Sequence, residues 1–214
     1  MNGALPLLVF DTNIMMDVWL GRENDQAILL VQLAENQQVE LVIPEYVLFE
    51  FRGTALRWLR RERTRLNDDV RRAAKEWVRS NKLDAGATAI QAGAKQIEDA
   101  LDKLEKAVDE VSERIKSAAS RVDKHTPEIH FQGDLRFLSG RPPDRPVDGI
   151  KDCRIYEAIL ALARSENTEH RLRYVLTKDA DFDYPELVSE LRNFGFELRK
   201  DPGKLYGELL LSRA

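Results

Sequence analysis

The sequence predicts an α/β fold with a parallel sheet, and three observations carry that prediction. Short apolar runs of strand length recur along the chain, with helix-patterned segments between them. The first run, Leu5 to Phe10, shows no polar alternation, as expected of a strand buried on both faces. It stops abruptly at Asp11-Thr12-Asn13, so Asp11 is expected where the strand leaves the core. Ligands of open α/β sheets bind outside the carboxyl ends of the strands, which makes that position a candidate site.

The remaining elements follow in order. A loop containing Gly21 leads to a helix over 25–35, with Ile28, Leu29, Val31 and Leu33 as its apolar side. Val39 to Ile43 is a second β-rich run, ended by Pro44, and a proline at a helix start makes Glu45 onward helical. The stretch from His125 to Gly149 reads as irregular, centred on the segment 140–146 with its three prolines. A helix is expected from Ile150 to about Arg164, then a core strand at Tyr174-Val175-Leu176-Thr177. Pro185 to Asn193 reads as a helix stopped near Gly195, Phe196–Leu198 as a last strand, and Leu205–Leu211 as a short terminal helix.

From Arg52 the texture changes. Leu56, Leu59, Leu66, Val70, Ala73 and Trp77 recur at 3- and 4-residue steps, and Ile90 to Val122 keeps heptad spacing for more than four repeats. Such spacing predicts long helices packed in coiled-coil fashion. The simplest arrangement is an antiparallel hairpin, 52–80 and 87–123, turned at 81–86 and reaching roughly 45–55 Å at 1.5 Å per residue. The expected organisation is therefore one α/β domain, 1–51 with 124–214, carrying an inserted hairpin, 52–123.

Bulk properties exclude several classes. No stretch of 18 apolar residues exists, which argues against a membrane-spanning helix, and the N-terminus lacks the basic segment of a signal peptide. Cys153 is the single cysteine, so no intramolecular disulfide forms and a reducing, cytoplasmic setting is expected. His125, His130 and His170 lack zinc-ligand spacing. The net charge of −4 is unevenly distributed: 52–82 holds nine arginines and two lysines against four acids, a net of +7, leaving −11 for the remainder. Such polarisation suggests a charged partner.

Three further acids deserve the scrutiny given to Asp11. Asp152 lies three and four residues before Ile155 and Tyr156, on the apolar side of its helix. Glu50 is the only charge in Tyr46-Val47-Leu48-Phe49-Glu50-Phe51. Asp179 follows a strand end as Asp11 does, and Asp181, two residues on, is either a further ligand or a helix cap. At ~4 Å and an effective dielectric near 20, each like-charged carboxylate pair costs about 4 kcal/mol, so such a group requires protons or cations. Oxygen donors without cysteine or histidine suit Mg²⁺ or Mn²⁺, and carboxylates holding such ions are equipment for phosphodiester hydrolysis.

Asp11-Thr12-Asn13 after the first strand, Glu50 on a following helix, Lys151-Asp152-Cys153-Arg154-Ile155-Tyr156-Glu157-Ala158, and Thr177-Lys178-Asp179-Ala180-Asp181-Phe182 together resemble the PIN-domain nucleases. The match runs along 5–51 and 147–199. The hairpin is absent from the small VapC-type toxins, and the chain is more similar to larger bacterial PIN-like proteins with a helical insertion at this point. The resemblance implies a three-layer fold with a parallel sheet in the order 3-2-1-4-5. It implies a metal-dependent endoribonuclease that hydrolyses RNA by metal-activated water, leaving 5′-phosphate and 3′-hydroxyl ends. Carried over by position, Asp11, Glu50, Asp152 and Asp179 become catalytic metal ligands, with Asp181 a further candidate. Asn13 and Thr177 become supports that orient them, while Asp148 reads first as a helix cap.

The basic helix after Glu50 places Arg52, Arg57, Arg60 and Arg61 as candidate nucleic-acid contacts, because guanidinium groups bind phosphate at two points. The alternative is internal ion pairing with acids of the second helix, such as Asp102, Glu105 and Asp109. The expected partners are RNA, structured or tRNA-like RNA included, with an antitoxin-like protein or a second copy as candidate occupants of the hairpin, and no membrane. Two other function classes compete. One is a catalytically inactive PIN-like scaffold that binds nucleic acid or protein. The other is a phosphatase using Asp11 as nucleophile, which Asn13 disfavours because that chemistry places an acid two residues on.

Overall fold

The computed structural model describes residues 4–21, 26–79, 83–143, 149–166 and 172–211. Strand β1 (Leu7–Phe10) is wholly buried, and α1 (Thr12–Leu20), α2 (Ala27–Glu35), β2 (Glu40–Pro44) and α3 (Glu45–Arg79) follow. Then come α4 (Leu83–Ala118), β3 (Arg121–Asp123), α5 (Pro127–Leu138) and α6 (Gly149–Ser165). The chain ends with β4 (Arg173–Leu176), α7 (Pro185–Asn193), β5 (Phe196–Arg199) and α8 (Pro202–Leu211). The five strands form one parallel sheet in the order β3-β2-β1-β4-β5, the order the family resemblance implies. Among the described residues, no helix is long and apolar enough to cross a membrane.

Three elements differ from the sequence expectation. The segment expected as a loop before Gly21 is α1, which Asp11 caps through its side chain and Gly21 ends in the left-handed conformation at φ 57°. Ile14, Met15, Val18 and Trp19 form its buried stripe. The segment expected as irregular contains α5, begun by the side-chain cap of Thr126 and by Pro127. Its two buried residues are Gly133 and Arg136, while Phe131, Leu135 and Leu138 are exposed. An apolar stripe facing the core is the usual signal of a helix, and here the apolar side faces water. Finally, Val122 belongs to the edge strand β3, not to a helix reaching residue 123. The helix ends at Ala118, and Ser120 and β3 lie along β2.

Gly133 lets α5 approach α6 closely. A Cβ there would stand 2.7 Å from the Arg154 backbone, so any side chain would push the helices apart. Arg136 fills the same interface. Its Nε donates to Glu157 at 2.6 Å, Nη1 to the Pro142 carbonyl at 2.8 Å and Nη2 to Glu190 at 3.0 Å.

The chain divides into two compact units, Met1–Phe51 with Ser112–Ala214, and Arg52–Val111. The first holds the whole sheet. In the second, Ala55 and Leu59 of α3 and Leu101 and Val108 of α4 are buried. Arg52 pairs with Asp109 at 3.1 Å, and Arg63 with Asp102 at 2.6 Å and Glu105 at 2.7 Å. Residues 80–82 of the expected turn lie outside the described residues, as does the side chain of Trp77; from Leu83 the chain is already helical.

Candidate metal centre

Parallel pairing brings the ends of β1 and β4 together. Phe10 is in register with Leu176, and the amide of Asp11 donates to the Leu176 carbonyl at 3.0 Å. The next residue after each strand, Asp11 and Thr177, is therefore set side by side. The Thr177 hydroxyl donates to Asp11 Oδ2 at 2.6 Å and accepts from the Asp179 amide and from Asn13 Nδ2 at 3.0 and 3.1 Å. One donated and two accepted bonds exhaust a hydroxyl's capacity. Asn13 also donates to Asp11 Oδ2 at 2.9 Å and accepts from the Lys178 amide at 3.0 Å. Both strand ends are thus tied by side chains.

Past Thr177 the chain makes a 3-10 turn, Ala180–Asp183, capped by Asp179, whose Oδ1 accepts from the Asp181 amide at 2.9 Å. The cap of this turn is Asp179 and not Asp181. No side chain caps the following helix α7. Lys200, at the end of β5, donates to the Asp179 carbonyl and pairs with Asp183 at 2.9 Å, holding the turn from the other side.

Asp152 enters from the first turn of α6. Its carboxylate lies with those of Asp179 and Asp181 in one group, in which one oxygen from each lies within 4.8 Å of the other two, each residue half-buried. Three like charges at that spacing repel by several kcal/mol, and the α6 dipole offsets only about 0.3–1 kcal/mol for Asp152. Hard, closely set oxygen donors fit a divalent cation such as Mg²⁺ or Mn²⁺.

Asp11 and Glu50 are not members of this group; Asp11 feels the charges of both Glu50 and Asp179. Asp11 is buried, and burial pushes its carboxyl up to about 6, aided by the charges of Glu50 and Asp179 and opposed by the Thr177 and Thr12 hydrogen bonds. Glu50 is half-buried and accepts from the Thr12 hydroxyl at 2.5 Å. Thr12 is the residue that brings α1 and α3 acids into one electrostatic unit, a role invisible in the sequence. A second tie is Lys178 on the buried Asp17 at 2.5 Å. Asp148 lies outside the described residues. Arg52, Arg57, Arg60 and Arg61 lie in the second compact unit.

The Asp11 shift has a measurable consequence. The folded carboxyl holds its proton up to about pH 6, whereas the unfolded one releases it near 3.8. The folded state therefore binds more protons between these values, and the contribution to stability is present below the window and lost as pH rises through it. The whole window corresponds to about 3 kcal/mol, and the part between about pH 5 and 7.5 to roughly 1.4 kcal/mol. Denaturation in EDTA is expected to show the wild type losing that amount relative to Asp11→Asn over this range; parallel profiles would refute the shift.

The PIN-domain family model matches residues 8–182, a span containing every candidate acid and the whole Arg52–Val111 unit. No curated protein and no solved structure matches the chain. The match covers most of the 214 residues, and with the 3-2-1-4-5 parallel sheet and the acidic group beyond its strand ends, it means that the chain belongs to the PIN-domain family of nucleases.

Proposed function

We propose that the protein is a Mg²⁺- or Mn²⁺-dependent endoribonuclease of the toxin type. The observation that carries the reading is the convergence of Asp152, Asp179 and Asp181 within 4.8 Å, beside a buried Asp11. These residues, with Glu50, would hold the cation. When bound, it supplies Lewis-acid stabilisation of the phosphate and makes water a nucleophile near neutral pH.

The chain's own groups do the positioning. Thr177 and Asn13 fix the Asp11 carboxylate in one orientation, and Thr12 does the same for Glu50. Burial and the charges of Glu50 and Asp179 raise the Asp11 carboxyl, so a nearby cation would favour its ionised form. Asp179 keeps Asp181 turned toward Asp152 by capping its amide. The products would be 5′-phosphate and 3′-hydroxyl ends. We further read the chain from Arg52 to Ala118 as an inserted antiparallel hairpin, supported by the pairing of Arg52 with Asp109 and of Arg63 with Asp102 and Glu105. A second copy or an antitoxin-like protein is the expected protein partner, and the cytoplasm the expected setting.

Incubating labelled RNA and DNA of the same sequence with Mg²⁺, Mn²⁺ or EDTA tests the reading. RNA cleavage dependent on either metal and abolished by EDTA is expected. Cleavage that survives chelation, or none with either metal while calorimetry detects no cation site, would sink it in favour of the inactive scaffold.

A further inference from the structure

Helix α3 sorts its arginines into two sets. Arg63 is held between Asp102 and Glu105 at 2.6 and 2.7 Å, and Arg52 by Asp109 at 3.1 Å, so both are spent on α4. Arg57 donates to Thr54 one turn back, at 2.8 Å. A second set, Arg60, Arg61, Arg65 and Arg72, lines a shallow groove with Thr64, Asp68 and Asp69. Among the described residues, Arg60 and Arg61 have no ion-pair partner within 4.0 Å. Arg65 meets Glu62 and Asp69 at 3.9 Å each, and Arg72 meets Asp69 at 3.8 Å, with the arginine side chains more than 70% exposed. Pairs so long and so open contribute little, so a stronger anion can displace them.

We propose that this groove holds the phosphodiester backbone of RNA. The inference rests on the ribonuclease reading for its choice of ligand, and on the groove itself for the rest. Its lining contains no apolar side chain, whereas the centre of a protein–protein interface is apolar and poor in charge. Four guanidinium groups against two carboxylates leave it positive within a chain of net charge −4. The twelve steps from Arg60 to Arg72 rise about 18 Å along the helix, enough to follow several consecutive phosphates. Nothing in the lining is arranged to read base edges, so binding is set by charge and not by sequence.

Each phosphate contact on a single strand contributes about 0.7 to the slope of log K against log salt. The test measures anisotropy of a fluorescent RNA of about 20 nucleotides binding the full chain in EDTA, over roughly 50–300 mM KCl. The variant Arg60→Gln/Arg61→Gln/Arg65→Gln/Arg72→Gln is expected to lose about tenfold or more in affinity at 100 mM and roughly two to three units of slope. Arg52→Gln/Arg63→Gln, which removes the arginines bound by α4, is expected to keep the slope. Glutamine preserves helix propensity, and circular dichroism checks that each variant retains its helix.

An unchanged slope in the fourfold variant overturns the proposal, as does equal loss in the double variant. So does competition by polyglutamate as strong as by RNA of equal charge, which would mark an acidic-protein site. Cleavage in Mg²⁺, measured separately, keeps the two readings apart: a wild type that binds with the predicted slope but never cleaves refutes the nuclease and retains the groove.

Discussion

Asparagine in place of Asp152 or Asp179 is expected to lower metal-dependent RNA cleavage by roughly 10³-fold, a loss of about 4 kcal/mol of transition-state stabilisation. The substitution removes one of three charges from a group in which one oxygen from each acid lies within 4.8 Å of the other two, with almost no change in volume. Fold damage is small, because asparagine caps as well as aspartate and preserves the bond that Asp179 accepts from the Asp181 amide. Metal-free stability should even rise, since one repelling carboxylate is gone. Calorimetric cation binding and cleavage rates, measured on the same variants, check both halves. A variant that cleaves at the wild-type rate would remove its residue from the centre, and two such variants would remove the centre.

Replacing Arg136 by methionine is expected to destabilise the protein by about 3–5 kcal/mol. The guanidinium is 3% exposed and donates to Glu157, Pro142 and Glu190, with its plane over the Tyr156 ring at 4.6 Å. Methionine refills the volume but leaves Glu157, 5% exposed, as a buried carboxylate whose nearest remaining cation is Arg164 at 3.9 Å. Most of the penalty comes from that abandoned charge. The double variant Arg136→Met/Glu157→Leu should therefore recover much of the loss, and a chemical-denaturation cycle over the four proteins measures the coupling. Additive single effects would mean that the pair is not the cause. Lysine is no conservative substitute, since one ammonium cannot reach three acceptors set around a planar fork.

The sequence was legible where burial and chain direction coincide. β1, β2 and β4 announced themselves because a strand covered on both faces has no polar positions to spare. Asp11 and Asp179 stood out as charges at the margins of such runs, and Asp152 as a charge on the apolar side of its helix. Helix α5 was opaque because its inner face is Gly133 and Arg136, so the pattern that normally reports a helix is turned outward. Strand β3 was opaque because three partly exposed edge residues leave no pattern, and Val122 happened to continue a heptad. α1 carried both its signals, Asp11 as cap and Gly21 as stop, yet Asp11 was read for a candidate metal role and its capping was passed over. The supports Thr12 and Lys200 act across 38 and 21 residues of chain, and pattern reading along the sequence does not reach that far.

The pairing of β1 with β4 has a consequence for the order of events during synthesis. The hydrogen bond from Thr177 to Asp11 joins residues 166 positions apart, and the sheet's central strand has β2 alone as a neighbour until β4 emerges. At about 5–20 residues per second, the ribosome takes on the order of ten seconds or more to supply that partner. Through that interval Asp11 waits without Thr177, Asp179 or Asp181, and the nascent chain holds no assembled acidic group. The carboxylate group is complete only once the chain has passed Asp181 and β4 has joined the sheet.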